Sequence, residues 1–187
     1  MCFSHRAPLM SRILGLIVVL WACCSAAAAT LQQLTLDQMT QSATAIVRAR
    51  VTSSSASFTG STIYTHYKLQ TTETYKGFPA AEVLLPGGVA QGVRQSYPGV
   101  PALQAGTEYV LFLWTSSSTG ITHLVGLTQG LFNVGQLSDG TLQVSRAATG
   151  ESMFDASGRP VHDTAIQMAL TALKTRISTT IASGVRQ

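Results

Sequence analysis

Apolar and polar positions divide the chain into three regions. An apolar leader comes first, then a long stretch whose pattern repeats near every second residue, then a closing stretch with helical spacing. In the middle region, Ala45-Ile46-Val47-Arg48-Ala49-Arg50-Val51 comes to alternate apolar and charged residues, which predicts a half-buried strand. Ser53 to Ser57 and Gly60-Ser61 read as a flexible loop. Ile63 to Tyr75 is the clearest strand. Ile63, Thr65, Tyr67, Leu69, Thr71, Glu73 and Tyr75 share one face, and Tyr64, His66, Lys68, Gln70, Thr72 and Thr74 share the other. Its length predicts a bent strand that rounds a barrel or crosses two sheets. Glu82 to Leu85 predicts a short buried strand. The Pro- and Gly-rich stretch 86–107 predicts a long loop with one strand piece near Gly92 to Tyr97.

Glu108 to Trp114 is apolar on both faces, so it should be a central strand paired along both edges, with Leu111 and Leu113 or Val110 and Phe112 facing the interior. Further strands are expected at Ile121 to Val125, at Leu131 to Val134, and on either side of Asp139-Gly140, a dipeptide suited to the positive φ of a tight hairpin turn. Thr35 can cap a short helix from Leu36 to Ala43. Asp163 is read as the cap of a helix over 163–177, whose stripe is Ile166, Ala169, Leu170, Leu173 and Ile177. The fold class this predicts is all-β: an OB-like barrel or small sandwich with a short N-terminal helix and a C-terminal packing helix.

The leader changes the picture by assigning a compartment. Arg6 and Arg12 precede the ten-residue apolar block Ile13 to Ala22, and small residues with A-x-A spacing run from Ser25 to Ala29. This is the three-part pattern of a cleavable secretory signal over residues 1–29, leaving 30–187 as a single mostly β domain. Ten apolar residues are too few for a membrane-spanning helix, which needs about 20. No later run is long enough either, so no transmembrane segment is expected after cleavage. Leu20-Trp21-Ala22-Cys23 offers the alternative of a lipoprotein anchored through Cys23, although Trp21 is bulky for that motif. The expected location is secreted or periplasmic.

The three cysteines, Cys2, Cys23 and Cys24, all lie in the leader, so the exported domain must fold without disulfides. The single Asn, Asn133, lies in no glycosylation sequon, which fits a bacterial source. Losing Arg6 and Arg12 leaves ten basic residues against eight acidic, a net of +2, and the basic residues are scattered. No nucleic-acid partner is expected.

Candidate chemistry is sparse. His66, His123 and His162 are far apart in sequence, with no His-x-x-x-His or His-Glu pair, so no metal or cofactor is expected. No Gly-x-Ser-x-Gly elbow occurs. A Ser-His-Asp triad has no fixed spacing and could still form in the fold, for example on His162 with a distant Ser. Asp163 beside that histidine reads as a helix cap rather than its partner carboxylate. No catalytic residue is assigned. The candidate ligand-binding surface is the polar row Tyr64, His66, Lys68 and Gln70, where flat rings with hydrogen-bonding tips suit a peptide or sugar.

Three stretches carry a resemblance. Ala45-Ile46-Val47 leads to Val51. Tyr67-x-Leu69 is followed by Glu73-x-Tyr75-Lys76-Gly77. Gly106-x-Glu108-Tyr109-Val110-Leu111-Phe112-Leu113 comes last. Over roughly 43–134 this order resembles the bacterial, cysteine-poor relatives of the netrin-like domains related to tissue inhibitors of metalloproteinases. The resemblance implies an OB-type barrel. The inhibitory function does not carry over, because those inhibitors place an N-terminal cysteine on the protease zinc, and a chain beginning near Thr30 has none. The expected function is therefore an exported, non-enzymatic binding or interaction module for an extracytoplasmic peptide, protein or sugar. The alternatives are a peptidase inhibitor acting through a barrel-edge loop at Gly88 to Pro101, and an unrecognised hydrolase.

Overall fold

The computed structural model describes residues 30–184. The predicted signal segment and its cysteines lie outside the described residues. Along the chain come β1 (Thr30–Gln32), α1 (Leu36–Ser42), β2 (Ala45–Thr59), β3 (Thr62–Lys76), β4 (Glu82–Pro86), β5 (Gly88–Ala90), β6 (Val93–Gln95) and β7 (Glu108–Thr115). They are followed by β8 (Thr122–Leu124), a 3-10 turn at Leu127–Gly130, β9 (Leu131–Gln136), β10 (Leu142–Arg146), β11 (Ser152–Phe154), β12 (Pro160–Val161), β13 (Ile166–Ala169) and α2 (Leu170–Gly184). Among the described residues the protein is mostly β-sheet, with two helices.

Strand β7 organises the molecule. One edge pairs with β2, with Leu113 opposite Ala45 and Leu111 opposite Val47. Its other edge pairs with β9 and then with β8. The eight-stranded sheet runs β13-β10-β9-β7-β2-β3-β4, with β8 on β7. The apolar pattern of β7 serves a separate core on each face. Tyr109, Leu111 and Leu113 pack with Val47, Val51, Tyr67, Val83, Leu85 and Leu124. Val110 and Phe112 pack with Ile46, Phe132 and Val144, under Met39 of α1 and Leu170, Leu173 and Ile177 of α2. The first core draws side chains from β4 and β8 together, so the sheet curls on itself. His123 of β8 donates from Nδ1 to the Leu84 carbonyl of β4 at 3.0 Å. Among the described residues no backbone ladder joins β8 to β4, so the sheet does not close into a barrel; of the OB-like barrel or small sandwich expected from the sequence, the structure bears out the mostly β character.

Helix α1 begins as its sequence dictates. Thr35 accepts from the Gln38 amide, and the Gln38 side chain accepts from the Thr35 amide, closing a capping box. A small second sheet, β1-β11-β12, stands beside the main one, with β1 parallel to β11. Buried Gln129 ties it down, accepting from the Leu34 amide at 2.8 Å and donating to the Gln32 carbonyl at 3.0 Å.

Two expectations need correction. The serine run after Val51 is strand, not loop: β2 continues to Thr59 and pairs with β3 over its whole length, with register shifts on the way. The C-terminal helix occupies Leu170–Gly184 rather than 163–177. Ile166–Ala169 is strand β13 on β10, and Asp163 caps nothing. Its carboxylate is instead buried against Arg146, with oxygen to nitrogen distances of 2.6 and 2.9 Å, and it accepts the Thr149 amide.

Candidate functional site

The outward face of β3 is flanked by β2 on one side and β4 on the other. The register puts Ser57 opposite Tyr64, Ser55 and Leu84 opposite His66, and Glu82 opposite Lys68. His66 therefore has Ser57 and Glu82 as diagonal neighbours, within reach of a long side chain. Its Nε2 lies 2.9 Å from Ser57 Oγ, and its Nδ1 lies 3.2 Å from Glu82 Oε1. Lys68 Nζ reaches the same carboxylate oxygen at 3.0 Å. With Glu82 accepting the Nδ1–H, a neutral ring carries its lone pair at Nε2, and the Ser57 hydroxyl donates to it. Burial alone would raise the Glu82 pKa. The Lys68 ammonium and the His66 ring outweigh it and hold the carboxyl below its ordinary value.

An aromatic side adjoins this polar array. The Tyr64 ring lies 6.2 Å from that of His123, tilted by 46°. His123 is the cross-strand partner of Trp114, which is 46% exposed in spite of its size. Glu82 and Leu84 also form part of the wall of a cleft of ≈570 Å³ that runs to Ile121 and to Phe78, a residue that is 85% exposed. The turn bearing Phe78 is fixed by Gly77, with φ +69 and no room for a Cβ beside the Thr44 carbonyl.

Of the four residues singled out from the sequence, Tyr64, His66 and Lys68 share this surface. Gln70 lies further along β3, opposite Arg50, and makes no side-chain hydrogen bond with the row. His66 and His123 come to one face on either side of Leu84, while His162 is exposed elsewhere. Among the described residues, no group of three or more His, Cys, Asp or Glu is placed to hold a metal ion. Ser57, Glu82, His123 and Trp114 were not singled out as site residues, because each comes from a different strand. For Ser57 the period-two pattern would have sufficed had its segment been read as strand.

The stretch after β4 holds two paired strands, where the sequence predicted a long loop with one strand piece. Strands β5 and β6 form a hairpin whose tip residues, Gln91 and Gly92, have φ of 51 and 78. Gln95 anchors its base, accepting from the Ile63 amide at 2.7 Å and donating to the Ser61 carbonyl at 2.9 Å. Val89 and Val93 are left half exposed. No protein-family model matches the chain, and no curated protein matches it.

Proposed function

We propose that the protein is an exported binding module whose ligand lies on the outward face of β3, β4 and β8. The observation that carries this reading is the exposed Trp114 ring beside the Tyr64–His123 pair, continuous with the hydrogen-bonding groups of Ser57, His66, Glu82 and Lys68. Flat rings with polar tips bordered by donors and acceptors suit the alternating apolar and hydroxyl faces of a sugar. The curled sheet is, on this reading, an opened OB-like barrel, a fold that uses one sheet face for ligands. Export rests on the leader pattern of residues 1–29, with Cys23 lipidation as the alternative outcome of processing.

Trp114 supplies the test. Trp21 and Trp114 are the only tryptophans, so Trp114→Phe isolates the signal of the face. Titration with chitotetraose and cellotetraose should change Trp114 fluorescence saturably, and Tyr64→Ala should abolish the change. A saturable response to extended tetrapeptides alone would replace the sugar by a peptide ligand. No response to either class would overturn the reading.

A second reading has its own observation: the ordered β5–β6 hairpin with its positive-φ tip, the form of a presented inhibitory loop. It requires inhibition of an extracellular peptidase that is lost when Val89 and Val93 are both replaced by Ser. An unchanged inhibition constant would end it.

A further inference from the structure

We propose that Ser57 is an activated nucleophile that accepts acyl groups from activated esters, with His66 as its general base and Glu82 as the residue that positions the imidazole. The inference goes beyond ligand binding and does not depend on it.

The geometry carries it. Three consecutive strands, β2, β3 and β4, bring a hydroxyl, an imidazole and a carboxylate into one hydrogen-bonded line, in the order that nucleophilic acyl transfer requires. The polarity is also right. The carboxylate is on Nδ1 and the hydroxyl on Nε2, so the ring is held with its basic nitrogen toward Ser57. Lys68 on Glu82 Oε1 keeps that carboxylate ionised, so it accepts the Nδ1–H and does not compete for the Ser57 proton. Backbone pairing on both sides fixes the positions: His66 faces Ser55 across one ladder and Leu84 across the other. Serines in the same strand provide a contrast. Ser53, Ser54 and Ser55 are exposed like Ser57 but have no imidazole within hydrogen-bonding distance.

The step balances without a cofactor. Ser57 Oγ attacks the ester carbonyl carbon while its proton passes to His66 Nε2. The bond from that carbon to the alkoxy oxygen breaks, and the departing alcohol takes the proton back from Nε2. The product is an ester at Ser57, which water hydrolyses by the same route. The face around Ser57 is exposed, so the acyl groups that fit are small ones on good leaving groups.

The test uses the whole protein with a fluorophosphonate probe and with p-nitrophenyl acetate, followed by peptide mass mapping. Label and acetyl group should map to Ser57 and not to Ser53, Ser54 or Ser55. His66→Ala should slow labelling about a hundredfold or more, the size of a general-base contribution, and added imidazole should restore part of it. The isosteric Glu82→Gln should slow labelling at least tenfold with the circular dichroism unchanged, because it loses the ring orientation and not the fold. Labelling spread across the serine run, or a Ser57 rate unaffected by His66→Ala in a folded variant, would overturn the proposal.

Discussion

Phe112 is fully buried on the helix side of β7, its ring 5.7 Å from that of Phe132. Truncation there removes transfer energy and leaves a cavity between the sheet and both helices. Phe112→Ala should cost about 3–5 kcal/mol by urea titration. Ser57→Ala, on an exposed strand face, should stay within about 0.5 kcal/mol in the same titration, so its chemistry can be tested on a folded protein. Gly77 belongs between these. Its positive φ and its contact with the Thr44 carbonyl leave no place for a methyl group, and Gly77→Ala should cost about 1–3 kcal/mol. At this scale the sequence was informative wherever alternation decided orientation. The period of two separated Tyr64, His66 and Lys68 from buried Ile63 and Tyr67. It could not show that Glu82 or His123 would arrive beside them, since that depends on how the strands are ordered in the sheet.

Elements are harder to read where two rules compete for one segment. The serine run of β2 has low strand propensity, yet pairing with β3 overrides it. Over Ile166–Ala169 the helical stripe and the strand alternation overlap, and pairing with β10 decides for strand. Asp163 looked like a helix cap because nothing local marked its buried partner, Arg146. The two side chains are 1% and 7% exposed. Asp163→Ala would strand the guanidinium and should cost about 3–5 kcal/mol. The helices are clamped differently, at a partly exposed site. Asp37 of α1 binds Arg176 and Thr180 of α2, with distances of 2.7 and 2.8 Å to Arg176 and 2.6 Å to Thr180. Arg176, then Thr180, holds the Asp37 carboxyl at about 2, below its usual 3.8. The folded value is the lower one, so the unfolded chain takes up the proton first. The clamp is at full strength above about pH 4 and weakens as the pH falls toward about 2. Thermal midpoints measured across that window should fall less in Asp37→Asn than in the parent protein. The difference should be small, because solvent screens the pair.

For the whole molecule, stability rests on two cores back to back across one sheet, without covalent help from residues 30–184, which contain no cysteine. The thermal midpoint should therefore be the same with and without reductant; a large drop under reducing conditions would mean that Cys23 or Cys24 is retained and bridged. The pairing of early with late segments among the described residues has a kinetic consequence. Strand β1 lies parallel to β11, and the bond from Arg176 to Asp37 spans 139 residues. Contacts of such long range slow folding, because the loop they close must be ordered before they form. A chain made from its N-terminus forward can dock α1 on β2 and β7 early, but β1 lacks its partner until β11 has been made, and Asp37 lacks its partners until α2 has. The clamp between the two helices is therefore among the last contacts that a growing chain can make.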